Sequence, residues 1–204
     1  MKWRKLARRV LPRPLRNRLE RGGWLKARND KYCFANDSRS LTVHRNIDKN
    51  RRRQLHGEAA AYITKHSPGD IQALARHSAG AGDYSNAIRY FLQAAQQSFG
   101  GFDYKKARAL ITGAEDSLAR LGENQRSDVM AIETFIMAGN IAKALAEYAE
   151  AEKKYRTAVD MAERSKPGSV LAGAYRCLAD IHRLQQKSVE SIEYSRKALW
   201  TSRV

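Results

Sequence analysis

From about residue 48 onward, apolar residues recur with the three- and four-residue spacing of helices, and no run alternates with the period of a strand. Gly or Pro residues interrupt this pattern at intervals that would end successive helices. The residues in between are mainly Ala, Leu, Arg, Lys, Glu and Gln, which favour helices. The pattern therefore predicts an all-α body over residues 48–204, built from antiparallel helix hairpins.

A motif of small, large and small residues recurs along this body, with spacings of four and then three residues. Its copies are Ala87, Phe91 and Ala94; Ala107, Ile111 and Ala114; Ala151, Tyr155 and Ala158; and, more weakly, Ser191, Ser195 and Ala198. The spacing puts each copy on one helical face, small where a neighbouring helix crosses closely and large where a gap must be filled. Small residues also lie 12 positions before three of the copies, at Ala75, Gly139 and Ala179. The two sets together predict pairs of helices in close contact.

This pattern resembles the tetratricopeptide repeat over about residues 68–204, and the resemblance implies a superhelical array of helix hairpins. The last alanines of the motif copies are separated by 20, 44 and 40 residues, rather than by the ~34 of the standard repeat. Because the first interval is so short, one helix running through residues 96–99 must both end one hairpin and begin the next. We therefore expect three to four helix pairs of irregular length.

Charge is distributed unevenly along the 204 residues, whose formal net charge is +17. Residues 1–56 hold 18 Lys and Arg against 4 Asp and Glu, whereas residues 57–204 hold 20 against 17. A basic head, residues 1–56, is thus followed by a nearly neutral body. This uneven distribution excludes a uniformly basic protein of the histone type. The apolar content of 43% excludes a wholly disordered protein.

Strands are predicted only in the head, where apolar residues flank an Asn-Asp turn and indicate a two-stranded β-ribbon at about residues 23–35. A helix follows, capped by Asp48 or Asn50. Its apolar stripe consists of Leu55, Ala59 and Ile63. We therefore place a basic N-terminal domain at residues 1–47 and the helical repeats at residues 48–204.

The order of elements in the head resembles the junction between the winged-helix module and the helical repeats in STAND-class regulatory ATPases of the LuxR-type or cyclase-associated kind. The residues that carry this resemblance are Tyr32, Phe34, Arg51, Arg52, Arg53, Leu55 and His56. The chain has no phosphate-cradling GxxxxGK[ST] loop, so the resemblance implies such a region without its ATPase domain. If the chain is the detached tail of a larger regulator, we expect exposed apolar surface on the head and poor solubility.

No constellation of catalytic, metal-binding or cofactor-binding residues is recognisable in the sequence. The five histidines lack the i, i+4 spacing with an intervening acid of a metalloprotease helix, and no nucleophile-elbow motif occurs. Cys33 and Cys177 lie 144 residues apart without a CxxC motif, which favours two reduced, buried thiols. We therefore expect a protein that is not an enzyme and that holds no cofactor.

Targeting signals are weak. No apolar stretch reaches the ~20 residues of a membrane-spanning helix, and the N-terminus lacks the apolar core of a secretory signal. We expect a cytoplasmic protein. The Arg-rich, acid-poor N-terminus leaves a mitochondrial presequence as the alternative.

The tetratricopeptide resemblance implies that the first helix of each pair presents an inward surface to a peptide or protein partner. Carrying over the inward positions gives Gln72, Arg76, Ile136, Asn140, Lys143, Arg176, Asp180 and Arg183. Their excess of positive groups favours an acidic ligand, although Ile136 and Asp180 interrupt the cationic surface. The function expected first is a non-enzymatic scaffold or adaptor that binds a partner in this groove.

The alternative function is a nucleic-acid-binding transcriptional regulator that uses the basic head. The arginines expected to contact phosphates are Arg4, Arg8, Arg9, Arg13, Arg16 and Arg18. The same residues have two further interpretations. They could attract the head to an acidic membrane surface, or their charge could only keep the head soluble.

Overall fold

The computed structural model describes residues 13–28, 31–122, 128–165 and 168–202. Within these residues, the chain forms ten helices and two short strands. In chain order they are α1 (Arg13–Arg21), β1 (Leu25–Arg28), β2 (Lys31–Phe34), α2 (Asp37–Asn46), α3 (Lys49–His66), α4 (Ile71–Ala81), α5 (Tyr84–Gly100), α6 (Tyr104–Arg120), α7 (Asp128–Ala144), α8 (Tyr148–Ser165), α9 (Gly168–Leu184) and α10 (Ser188–Thr201). None of the described helices combines the length and hydrophobicity needed to cross a lipid bilayer. The chain divides into two compact units, the first ending at Gly82 and the second beginning at Asp83.

In the first unit, β1 and β2 form the antiparallel ribbon that the sequence predicts, with Leu25 opposite Phe34. The backbone N–H of Ala35 donates to the carbonyl of Trp24 at 2.9 Å and extends this pairing. The guanidinium of Arg39 in α2 lies 5.3 Å from the centroid of the Trp24 ring, within the range of a cation–π contact. Trp24 therefore connects the ribbon to the helix that follows it.

The structure shows which of the two candidate residues, Asp48 or Asn50, caps the start of α3. Asp48 is the N-cap, and its carboxylate accepts hydrogen bonds from the backbone N–H groups of Arg51 and Asn50, at 3.1 and 2.8 Å. These bonds favour the ionised carboxylate and lower the pKa of Asp48. α3 packs against α4 as a helix hairpin. The domain boundary predicted after residue 47 falls between α2 and α3 and stays a proposal.

The described residues of the second unit form three hairpins, α5–α6, α7–α8 and α9–α10, whose turns share one conformation. Phe102, Ala146 and Gln186 occupy the same place in these turns, with left-handed φ angles of 61°, 60° and 61°. In each turn, the backbone N–H of the next residue donates to a carbonyl five residues earlier, at 2.9 Å. This bond is the helix-ending arrangement of the Schellman type. The turns recur at intervals of 44 and 40 residues, which confirms the long, irregular period.

Small residues lie against large ones where the helices of a pair cross. Tyr155 is fully buried against Gly139, where an added Cβ would collide with the tyrosine ring. In the last hairpin, the hydroxyl of Ser191 donates to the backbone carbonyl of Ala179 at 2.9 Å. The predicted pairing of helices through these small residues is therefore confirmed in α7–α8 and α9–α10.

The α5–α6 hairpin has a contact of the same kind at Gly113 in α6, where an added Cβ would collide with the ring of Phe91 in α5. Ala95 lies 12 positions before Ala107, and both are fully buried. α5 begins this hairpin, as expected of the helix through residues 96–99. Its second predicted role, as the partner of the helix that carries Ala75, involves the other unit and stays a prediction. An all-α fold of packed helix pairs is thus confirmed.

Candidate peptide-binding groove

Two of the predicted first helices, α7 and α9, contact each other in the second unit. Asn140 and Lys143 lie on α7, and Arg176, Asp180 and Arg183 lie on α9. Within each helix the spacing is three or four residues, so the members of each set share one face. Five of the seven polar groove residues that the sequence predicts therefore belong to two adjacent helices.

Asp180 joins the two helices through its carboxylate. Lys143 Nζ donates to Asp180 Oδ2 at 2.6 Å, and an Arg183 guanidinium nitrogen donates to Asp180 Oδ1 at 2.7 Å. The bond from Lys143 is the main reason that the pKa of Asp180 lies below its usual value, and the bond from Arg183 adds to it. Asp180 thus holds two cations in place, where the sequence interpretation saw only an interruption of the positive surface.

Arg176 differs from these two cations because it makes no ion pair with any of the described residues. It is exposed on α9 and lines two hollows of about 930 Å³ and about 350 Å³, which both also border Asp180. The smaller hollow is completed by Ile136, Lys143 and Cys177. Of the three cations predicted on α7 and α9, Arg176 is thus the one without an ion pair to the described part of the chain.

The larger hollow lies between α9 and α10, and its α10 side was not predicted from the sequence. Its lining there includes Ser191, Ser195, Ala198 and Leu199. Ser195 stands at the motif position that the large residues Ile111 and Tyr155 fill in α6 and α8, where both are buried. A small hydroxyl at that position leaves space unfilled. The weak fourth copy of the motif was therefore the signal for this cleft.

Asn140 has a packing role. Its side-chain oxygen accepts a hydrogen bond of 2.7 Å from the hydroxyl of Tyr155. Burial raises the pKa of Tyr155, so the phenol stays protonated and remains the donor. Asn140 thus positions a core tyrosine beneath the groove.

Cys177 is a free thiol that is half-buried beside the groove. Burial raises its pKa, which keeps it in the unreactive thiol form. The side chain of Cys33 lies outside the described part of the structure. Among the described residues, no group of three or more His, Cys, Asp or Glu side chains is arranged to hold a metal ion.

The remaining predicted groove residues, Gln72 and Arg76, lie on α4 in the first unit. Gln72 is half-buried and Arg76 is exposed. Next to Arg76 is His77, whose Nδ1 lies 3.0 Å from Nδ1 of His56. That Gln72 and Arg76 contribute to the same groove stays a prediction.

The arginines of the basic head are only partly described. Arg4, Arg8 and Arg9 lie outside the described residues, and the backbones of Arg13 and Arg16 belong to α1. Arg18 in the same helix is exposed. Phosphate contacts by this set stay a prediction.

Solved structures with a similar fold exist, although no protein-family model matches the chain and no curated protein sequence matches it. The crystal structure of apo RapI superposes with a TM-score of 0.54 at 13% identity, over 81% of this chain and 61% of RapI. BtubC from P. vanneervenii gives a TM-score of 0.47 at 16% identity, over 76% of this chain and 57% of BtubC. MamA gives 0.43 at 16% identity, over 77% of this chain and 96% of MamA.

The chain therefore spans about three fifths of the length of RapI, which it matches with a TM-score above 0.5. At 13% identity, that similarity concerns the fold alone. Together with the hairpins and the repeated turns described above, it shows that this chain has a tetratricopeptide-like helical repeat fold.

Proposed function

We propose that this protein is a non-enzymatic interaction scaffold that holds a segment of a partner protein along α7, α9 and α10. The observation that carries the proposal is the cleft of about 930 Å³ between α9 and α10, with the exposed Arg176 at its side. The volume of this cleft lies within the range of about 300–1,000 Å³ that is typical of small-ligand pockets. A helical repeat provides such a surface on rigid elements, so little order has to be gained on binding.

The charges of the groove favour a partner segment that carries carboxylates. Asp180 offsets one of the two cations that it binds, which leaves an excess of positive charge when Arg176 is counted. A guanidinium presents paired N–H donors that match a carboxylate in a bidentate geometry. The hydroxyl oxygens of Ser191 and Ser195 add neutral acceptors on the opposite wall, because each hydroxyl already donates its proton to a backbone carbonyl.

The groove is held in shape before a ligand arrives. The bond between Lys143 and Asp180 joins α7 to α9, and the bond between Tyr155 and Asn140 fixes α8 beneath α7. Because these contacts are made between residues of the protein itself, binding requires little rearrangement of the two helices.

Peptide arrays test this proposal. The labelled full chain is applied to pairs of peptides that are identical except that each Glu in one member is Gln in the other. We expect stronger binding to the acidic members, and we expect Arg176→Glu to lower it about tenfold, which corresponds to about 1.4 kcal/mol. Arg89→Glu, an equal charge change on the exposed face of α5, is the matched control and should have no effect. Equal binding to both members, or an equal effect of the two variants, would contradict the proposal.

The basic head has a separate proposed role, which is contact with nucleic-acid phosphates. The exposed Arg18 of α1 and the antiparallel ribbon support it, since a ribbon of this kind can enter a DNA groove. The descent of this region from the repeat-bearing part of a STAND-class regulator is likewise a proposal, and the ribbon supports it. A salt titration of duplex DNA binding, with and without residues 1–46, tests phosphate contact, because affinity from such contacts falls steeply with salt.

A further inference from the structure

An exposed apolar stripe runs along the outer face of α10. Val189 is 77% exposed, Ile192 is 55% exposed and Trp200 is 74% exposed. Together with Glu193 and Arg196, these residues border a shallow hollow of about 520 Å³. Their spacings of three, one, three and four residues place all five on one side of the helix. Large exposed side chains that adjoin in this way mark interaction sites more often than scattered ones do.

The stripe is a property of α10 and is absent from the equivalent helices. When α6, α8 and α10 are aligned on Ala107, Ala151 and Ser191, the positions of Ile192 and Trp200 carry charged residues in the other two helices. Those residues are Arg108 and Asp116 in α6, and Glu152 and Asp160 in α8. The repeat itself therefore does not require apolar residues here.

The charged residues at the position of Ile192 bind the next hairpin. Arg108 pairs with Glu147 in the turn after α7, and Glu152 pairs with Lys187 in the turn after α9. Ile192 cannot form such a pair. The outer face of α10 is therefore not built to receive a further hairpin of the same kind, and it needs a more apolar occupant.

The charged residues beside the stripe would attract each other if two copies of α10 packed side by side in opposite directions. If two copies of α10 pack antiparallel around a two-fold axis between Tyr194 and Ser195, Val189 faces Trp200 of the second copy. Glu193 then faces Arg196 of the second copy, and each contact occurs twice. Arg196 is available because it makes no ion pair within the described part of the chain, and Glu193 is exposed although it binds Lys197 at 3.0 Å.

We propose that the outer face of α10 binds a second copy of this chain as an antiparallel helix pair. The stripe from Val189 to Trp200 is about 16 Å long at the helical rise of 1.5 Å per residue. A single pair of helices of this length buries less than about 1,200 Å², the range of weak and transient complexes. We therefore expect a weak dimer whose population rises with concentration.

Sedimentation velocity of the full chain, from about 5 to about 500 μM, tests the proposal. The sedimentation coefficient of the unmodified chain should rise from the monomer value towards the dimer value. Trp200→Ala and Arg196→Glu should each weaken the association at least about tenfold, the first by removing apolar contact and the second by placing Glu opposite Glu193. Arg89→Glu on α5 should leave it unchanged, and circular dichroism confirms that each variant keeps its helices.

Charge exchange distinguishes this arrangement from other kinds of association. Arg196→Glu and Glu193→Arg should each self-associate more weakly than the unmodified chain. A mixture of the two should nevertheless form a heterodimer, because every facing pair is then opposite in charge. The double variant E193R/R196E should self-associate as the unmodified chain does. A chain that stays monomeric up to about 500 μM, or single variants that do not associate when mixed, would overturn the proposal. Either result would mean that the apolar stripe of α10 does not bind a second copy of this chain.

Discussion

Lys143 and Asp180 are 37 residues apart in sequence, and their ion pair of 2.6 Å joins two successive first helices of the repeat. The pair is partly exposed, so its contribution to stability is at most about 1 kcal/mol. Its larger effect is on the groove, because it sets the position of one cation and reduces the net positive charge beside Arg176. The stabilising contact and the proposed binding surface thus share one carboxylate.

The first prediction concerns this carboxylate. Asp180→Asn should lower the free energy of unfolding by at most about 1 kcal/mol, measured by urea denaturation. The same change should strengthen the binding of acidic peptides several-fold, because it removes a negative charge from the groove. Weaker binding of acidic peptides by a well-folded Asp180→Asn protein would show that Asp180 itself contacts the ligand.

The second prediction concerns the contact between Gly139 and Tyr155. Gly139→Ala should destabilise the protein by about 1–3 kcal/mol, because the new Cβ would overlap the buried ring and force one of the helices to move. Gly173→Ala on α9 is the matched control, since its Cβ would meet only the end of the Arg176 side chain at 4.0 Å. The control should stabilise the helix by up to about 1 kcal/mol. Thermal or urea unfolding of both variants compares the two effects, and equal effects would contradict this packing.

The third prediction concerns the left-handed turn residues. Ala146 has a φ of 60°, a conformation that costs a residue with a Cβ about 1 kcal/mol and that glycine adopts freely. Ala146→Gly should therefore stabilise the α7–α8 hairpin by up to about 1 kcal/mol. Ala149→Gly, three residues further on at an exposed position near the start of α8, should destabilise it by up to about 1 kcal/mol. A loss of stability in both variants would mean that the turn is not left-handed in solution.

The fourth prediction concerns pH. Burial, assisted by the charges of His56 and Arg76, lowers the pKa of His77 to about 4. The unfolded chain takes up a proton at this residue near pH 6.5, whereas the folded chain does not until much lower pH. The contribution of His77 to stability is therefore complete above pH 6.5 and is lost as the pH falls towards 4. Urea unfolding at pH 7 and at pH 5 should differ by about 1–2 kcal/mol from this residue, and His77→Gln should remove that part of the difference.

The sequence was sufficient to predict the helices, the ribbon and the close pairing of α7 with α8 and of α9 with α10. It succeeded because these features depend on local spacing and on the size of single residues such as Gly139 and Tyr155. The contact between Gly113 of α6 and Phe91 of α5 was missed, because Gly113 is not one of the motif positions from which the pairing was predicted.

The roles of the groove residues were harder to predict, because each depends on a contact between distant parts of the chain. From the sequence, Asp180 was interpreted as an interruption of a positive surface. The structure shows that its carboxylate binds both Lys143 and Arg183. Asn140 was assigned to the ligand, which stays a prediction, and nothing in the sequence indicates that its side-chain oxygen accepts a hydrogen bond from Tyr155. The cleft beside Ser195 could have been predicted, since a missing large residue in a repeated motif indicates unfilled space.

The central claim is that the surface along α7, α9 and α10 binds a partner segment. Amide chemical-shift mapping of the full chain, titrated with the best acidic peptide from the array, tests it most directly. We expect the largest perturbations at Arg176, Asp180 and Ser195, and we expect them to vanish for the Gln-substituted peptide. Perturbations confined to other faces of the second unit, such as the exposed side of α6, would contradict the claim.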